Sequence, residues 1–189
     1  MDEHSKDQVK AANSWDWKEL VRLVLISLVI VIPFRLYIAQ PFVVEGASMY
    51  PTFDNGNYLI VDELSYHLEH PARGSVLVFR YPKDESKSFI KRVIGLPGEL
   101  VSVKAGKVTI TSNEHPEGLV LDEPYIKLTK EGDNLSYKLG SGEYFVMGDN
   151  RAQSADSRLW GPVPEKDIIG RPIVRAWPFG IFPGAHLSY

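Results

Sequence analysis

Two regimes of hydrophobic patterning divide the chain. From Leu20 to Ile38 runs LVRLVLISLVIVIPFRLYI, almost unbroken in its apolar character, with Arg22 and Arg35 close to its ends. Wound as a helix at ~1.5 Å per residue, this stretch comes just short of the ~30 Å of a bilayer's hydrocarbon core. Both arginines can snorkel toward head groups. Trp15 and Trp17 precede the stretch and Tyr37 closes it, as interfacial anchors do. A buried core helix would be expected to carry a polar stripe, and none is present. A cleaved leader needs small residues at its cut. A cut after Ala39 places Tyr37 at the third position back, and a cut after Ala47 places Glu45 there, so the span is read as a retained anchor.

After residue 39 the period changes. Short apolar or alternating runs occur at Tyr58–Asp62, Ser75–Tyr81, Ser88–Ile94, Leu100–Lys104, Lys107–Thr111, Glu143–Met147 and Pro172–Trp177. Asp54-Asn55-Gly56, Leu96-Pro97-Gly98 and Ala105-Gly106 supply turns between them. Proline at its start and glycine after its end predict one short helix within Pro164–Gly170. No strand–helix alternation and no internal repeat appears. The pattern predicts a cytoplasmic tail over 1–15, a transmembrane helix over 16–38 and an all-β domain over 39–189.

Charge sets the direction of the anchor. Lys6, Lys10, Lys18 and Arg22 precede or open the span, and after Arg35 no lysine or arginine occurs before Arg73. The positive-inside rule therefore puts the N-terminus in the cytoplasm and the β domain outside the cell. The net charge of −3 and the lack of a basic stripe argue against a nucleic-acid partner. With no cysteine among 189 residues, disulfides, cysteine-ligated zinc and a cysteine nucleophile are all excluded.

Candidate chemistry begins at Val43-Val44-Glu45-Gly46-Ala47-Ser48-Met49. Gly46 and Ala47 leave room for a second backbone to approach, as when a substrate adds itself as a strand. Pro51 predicts an extended chain leaving Ser48. A serine needs a base to become a nucleophile. The five histidines, His4, His67, His70, His115 and His186, show no orienting carboxylate in the sequence. Lys91 fits better, because strand alternation gives it one face with Phe89 and Val93. Burial there would lower its pKa and free it to act as a base. A third block, Gly148 to Gly161, gathers Asp149, Asp156, Arg151, Arg158, Ser154 and Ser157 in one loop.

In order, the chain carries an apolar anchor, Ser-Met-x-Pro-Thr from Ser48, Arg-Gly-x-Val-x-Val-Phe from Arg73, Lys-Arg-Val-Ile-Gly-x-Pro-Gly from Lys91 and Gly-Asp-Asn-Arg-x-x-Ser-x-Asp-Ser-Arg from Gly148. Over about residues 20 to 180 it resembles the bacterial type I signal peptidases of the single-anchor kind. The resemblance implies a signal-peptidase-type all-β catalytic domain of SH3-like or barrel-like folded sheets. It also implies a serine nucleophile at Ser48 and a general-base lysine at Lys91. By the same resemblance Ser154 orients the lysine, while Arg92, Asp149, Asp156 and Arg158 form supporting ion pairs. Asp122-Glu123-Pro124-Tyr125 matches a family segment of less direct role. Two positions depart: Gly46 stands where some members carry an oxyanion-binding serine, and Ala152-Gln153 stand where Asp-Asn is common. The short insertion between Gly98 and Gly148 predicts a non-catalytic subdomain, at about 100 to 140, reduced to a hairpin.

The expected activity is removal of signal peptides from exported preproteins at Ala-X-Ala sites, by a membrane-bound monomer that uses no metal or cofactor. Val43, Val44, Glu45, Gly46, Ala47 and Met49 are the expected substrate contacts, and the lipid bilayer is the expected second partner. Trp177, Phe179, Ile181 and Phe182 form an apolar cluster that either meets the membrane or packs into the core. A self-cleaving repressor with related chemistry would need a DNA-binding helical module where the apolar span stands. A membrane-anchored scaffold carrying a dead protease domain stays open as the alternative function.

Overall fold

The structure, a computed structural model, describes residues 16–37 and 39–181, without the side chains of 33–37 and 39. Two compact units result, Met1–Tyr37 and Ile38–Tyr189. The described part of the first is the helix α1 (Trp17–Tyr37). Its apolar side chains point outward on every side, with Leu23, Leu25, Val29 and Ile30 all exposed. Among the described residues, no helix is long and apolar enough to cross a membrane. The described side chains of α1 end at Ile32, so Pro33, Arg35 and Tyr37 of the expected anchor, and Trp15 before it, lie outside the described side chains.

The second unit is built from antiparallel sheets, as the period-two patterning predicts. Its strands are β1 (Ala39–Val43), β2 (Tyr58–Asp62), β3 (Val76–Tyr81), β4 (Asp84–Gly95), β5 (Leu100–Lys104), β6 (Lys107–Thr111), β7 (Leu119–Val120), β8 (Asn134–Lys138), β9 (Glu143–Met147), β10 (Val163–Pro164), β11 (Ile168–Trp177) and β12 (Gly180–Ile181). The larger sheet runs β1-β2-β11-β3-β4-β9-β10, with β12 beside β11. Burial alternates along β2, which hides Leu59 and Val61 while Tyr58 stays half exposed. Strand β4 continues well before Ser88, and its buried second half carries Lys91, Arg92, Val93 and Ile94.

The smaller sheet corrects one expectation. In place of a hairpin at 100 to 140, four strands pair in the order β7-β6-β5-β8. Val101 and Val103 of β5 and Val108 and Ile110 of β6 all face one core with Ile94, Phe145 and Met147. Each such side chain contributes on the order of 1.5–3 kcal/mol by leaving water. The addition of β7 and β8 lets this sheet bury a whole face, which a lone hairpin does poorly. Pro164–Gly170 departs as well. Only Glu165–Asp167 form a 3₁₀ turn, and Ile168 already opens β11.

Candidate active site

Ser48 follows β1 in a loop fastened on two sides. On one side Val44 N–H donates to Asn57 O at 2.9 Å and Gly56 N–H to Val44 O at 2.8 Å. Gly46 N–H is held by the Asn55 side-chain carbonyl at 2.8 Å. On the other side Asn150 donates its backbone N–H to Ser48 O at 3.0 Å and its amide to Ala47 O at 3.1 Å. Gly46 has φ of +86°, a conformation that costs other residues energy and glycine little. Turns follow Ser48, through Tyr50 N–H to Ala47 O and Phe53 N–H to Met49 O. The extended exit that Pro51 suggested does not form.

Lys91 reaches this loop from the middle of β4. Its Nζ lies 2.8 Å from Ser48 Oγ and 2.9 Å from Ile90 O, and 5.4 Å from the centre of the Phe89 ring. The residue is only 5% exposed. Burial lowers its pKa to about 8, against the opposing charges of Asp156 and Asp149. A hydroxyl beside an amine that is partly neutral near pH 8 is the geometry a proton transfer requires.

The loop after β9 supplies the framework. Asp149, wholly buried, receives Arg92 Nε at 2.8 Å and Nη2 at 2.6 Å, and Thr52 Oγ1 at 2.5 Å. Arg92 Nη1 also donates to Gly74 O at 2.7 Å, and its guanidinium sits 4.1 Å from the Tyr125 ring. Asp156 takes Arg158 Nε at 2.8 Å, Arg158 Nη2 at 2.9 Å and Gly148 N–H at 3.0 Å. Burial acts to raise the Asp156 carboxyl, but the Arg158 bonds and charge with the Gly148 N–H outweigh it and hold its pKa below the usual range. Arg158 Nη1 extends the chain of charges to Asp133 at 2.6 Å.

Ser154 turns to the framework and not to the lysine. Its buried hydroxyl helps hold the Asp156 carboxyl below the usual range, while Lys91 bonds to Ser48 and Ile90. Gly148 explains the tightness. A Cβ there would fall 2.3 Å from Ser154 Oγ and 2.4 Å from Ser48 O.

Beside Ser48 and Lys91 opens a cleft of about 560 Å³. Its apolar wall comes from Phe42, Val43, Val44, Leu59, Val78 and Ile90, with Glu45, Lys87 and Ala155 also lining it. Of the expected substrate contacts, Val43, Val44 and Glu45 line the cleft, while Gly46 and Ala47 are exposed nearby in the Ser48 loop. Met49 does not line it. It is fully buried beneath the loop with Phe53, Leu59 and Val61.

Sequence reasoning placed Thr52 in a motif without a role, whereas its hydroxyl joins the Arg92–Asp149 pair, and it did not foresee the pairing of Arg151 with Glu123. It also underrated His70, which does have a carboxylate, Glu165, at 2.7 Å. Those two line a separate cleft with Glu63 and His67, and Ser48 is not part of it. Among the described residues no cluster of His, Asp or Glu is arranged to hold a metal ion. His4 and His186 lie outside the described residues.

These motifs define the class. The family model described as "Signal peptidase, peptidase S26" matches residues 17–177. The chain belongs to that family. It is 36% identical over 168 residues to a probable signal peptidase I-1 of Synechocystis sp., covering 85% of this chain and 83% of that protein. It is 35% identical over 192 residues to the signal peptidase I of Bacillus caldolyticus, covering 94% and 97% respectively. The signal peptidase I of Leptolyngbya laminosa is 38% identical over 168 residues, 85% of this chain and 79% of that one. The protein is thus a hydrolase, a serine endopeptidase of the signal peptidase I group.

Proposed function

We propose that this peptidase cuts exported preproteins after Ala-X-Ala sites, with Ser48 as nucleophile and Lys91 as general base. One observation carries the reading: a buried amine of lowered pKa, on Lys91, stands 2.8 Å from the Ser48 hydroxyl in a cleft that both residues line. The substrate lies extended beside residues 43 to 48, and its small side chains enter the apolar wall. Neutral Lys91 takes the Ser48 proton as Oγ attacks the scissile carbonyl. The tetrahedral oxyanion is met by backbone N–H groups, chiefly that of Ser48. The C–N bond then breaks, Lys91 returns the proton to the departing amine, and an ester to Ser48 is left. Water, deprotonated by the same lysine, hydrolyses that ester.

The framework has a part in this reading. Arg92–Asp149 and Asp156–Arg158 fix the loop that closes over Lys91, and Ser154 limits where the amine can swing. The stretch Leu20–Ile38 anchors the chain with its N-terminus in the cytoplasm, and the domain after about residue 39 works outside. Trp177, Phe179 and Ile181 support a resting place at the membrane surface, since all three are about two-thirds exposed or more. Phe182 lies outside the described residues. The enzyme acts as a monomer and its chemistry calls on no metal or cofactor.

The test is cleavage of a preprotein bearing an Ala-X-Ala site in detergent by wild type, Ser48→Ala and Lys91→Ala. Cutting after the second alanine by wild type alone supports the assignment. Near-normal turnover by either variant sinks it, and a folded but inactive wild type brings forward the scaffold reading.

A further inference from the structure

We infer that Glu45 selects for a basic side chain in the substrate, at the second or fourth residue before the cut. The inference rests on the proposed cleavage at Ser48. Glu45 lines the same cleft as Ser48 and is exposed to solvent. It makes no hydrogen bond or ion pair with any described residue. The other surface charge on the cleft, Lys87, is already matched by Asp84 at 2.8 Å. The other lysine on the cleft, the buried Lys91, becomes largely neutral above about pH 8. At such pH the cleft is left with one unmatched charge, the Glu45 carboxylate.

That carboxylate is also held in place. Its neighbours on both sides are fastened to the β2 end of the loop, Val44 through Asn57 and Gly56, Gly46 through the Asn55 side chain. Val44 is buried, so alternation turns Glu45 to the open side. Glu45 lies three positions before Ser48, at most about 10 Å along the chain at ~3.3 Å per residue, and the bend at Gly46 and Ala47 shortens that distance. An extended substrate pressing its first and third residues into the apolar wall turns its second and fourth away from it, within reach of a lysine or arginine side chain from Glu45. The interaction adds charge selection to a site otherwise chosen by smallness.

The experiment uses the full-length enzyme in detergent at pH 8.5 and low salt. Six matched preproteins carry Lys, Gln or Glu at the second or the fourth position before the cut. At one or both positions wild type should prefer Lys over Glu, by about two- to fivefold in kcat/KM on each side of Gln, as for an exposed pair. The preference should shrink in 0.5 M salt. Glu45→Gln should flatten the ratio and Glu45→Lys should invert it. Equal rates for Lys and Glu substrates in wild type, or a preference that survives unchanged in Glu45→Lys, overturns the inference while leaving Ser48 and Lys91 intact. No cleavage of any of the six by folded wild type overturns the proposed function and this inference together.

Discussion

Arg92 and Asp149 meet through two parallel hydrogen bonds, 2.8 and 2.6 Å long, with the arginine side chain 4% exposed and the carboxylate not at all. A pair so completely withdrawn from water is costly to break from one side, because the survivor keeps its charge without its partner. Arg92 is next in sequence to Lys91, and Asp149 is next to the Asn150 that holds Ser48 O. Strand β4 and the loop after β9 are therefore fixed to each other beside the two residues of the proposed chemistry.

Asp149→Ala should destabilise the domain by ~3–5 kcal/mol, the range for an orphaned buried charge. The double variant Arg92→Met, Asp149→Leu should recover a large part of that loss. Urea unfolding followed by circular dichroism measures both. Activity should stay low in the double variant even where stability returns, because the loop would no longer be held at the strand.

Activity should rise with pH and level off above an inflection near pH 8, where burial places the Lys91 pKa. The sign follows from the neutral form being the base. The same depression acts on stability. The unfolded chain keeps the lysine protonated up to its ordinary value of 10.5 while the folded chain does not, so stability should gain between about pH 8 and 10.5. Lys91→Met should lose that gain and unfold at a higher temperature than wild type at pH 7. A kcat/KM profile with calorimetry of both proteins tests the pair of statements.

Gly148→Ala places a methyl group into space already held by Ser154 Oγ and the Ser48 carbonyl. The serine side chain can rotate away, but the carbonyl belongs to the backbone of the Ser48 loop. Overpacking of this kind typically costs ~1–3 kcal/mol. The larger effect should fall on turnover: kcat should drop at least ~100-fold with KM changed little, as expected for a displacement of about 1 Å at a reacting group. Steady-state kinetics beside thermal unfolding separates the two effects.

Trp177 and Phe179 stand 69% and 73% exposed at the end of the larger sheet. Replacing both with alanine, in the domain freed of residues 1–38, should abolish its sedimentation with phospholipid vesicles and leave its circular dichroism unchanged. Binding equal to that of the unaltered domain would return the cluster to an ordinary surface.

Much of this was legible because β strands write themselves with a period of two. The runs at Tyr58–Asp62, Leu100–Lys104, Lys107–Thr111 and Glu143–Met147 coincide with observed strands. Strands β7 and β8 were missed for the same reason. Leu119–Val120 is too short to show a period, and along β8 only Leu135 of five residues is even partly covered. The serine and lysine could be nominated from their neighbours, but not the distance between them, which depends on how β4 and the loop after β1 meet. Thr52 illustrates the limit most plainly. It closes the Ser-Met-x-Pro-Thr motif, but nothing in that motif names its partner Asp149, 97 residues away. Met49 misled because proximity to Ser48 in sequence suggested exposure, whereas its side chain serves as the plug under the loop.

Strand β1 ends the larger sheet, with β2 on one flank and, among the described residues, no strand on the other. An open sheet border of this kind invites any extended chain, including another copy of the same protein, and natural proteins usually blunt it. Here the blunting is partial. Pro41 removes one donor from the border and Glu45 adds a like charge that two copies would have to bring together, while the stretch between them is left bare. A border so dressed can receive a passing polypeptide briefly yet resists zipping up with a second copy of itself.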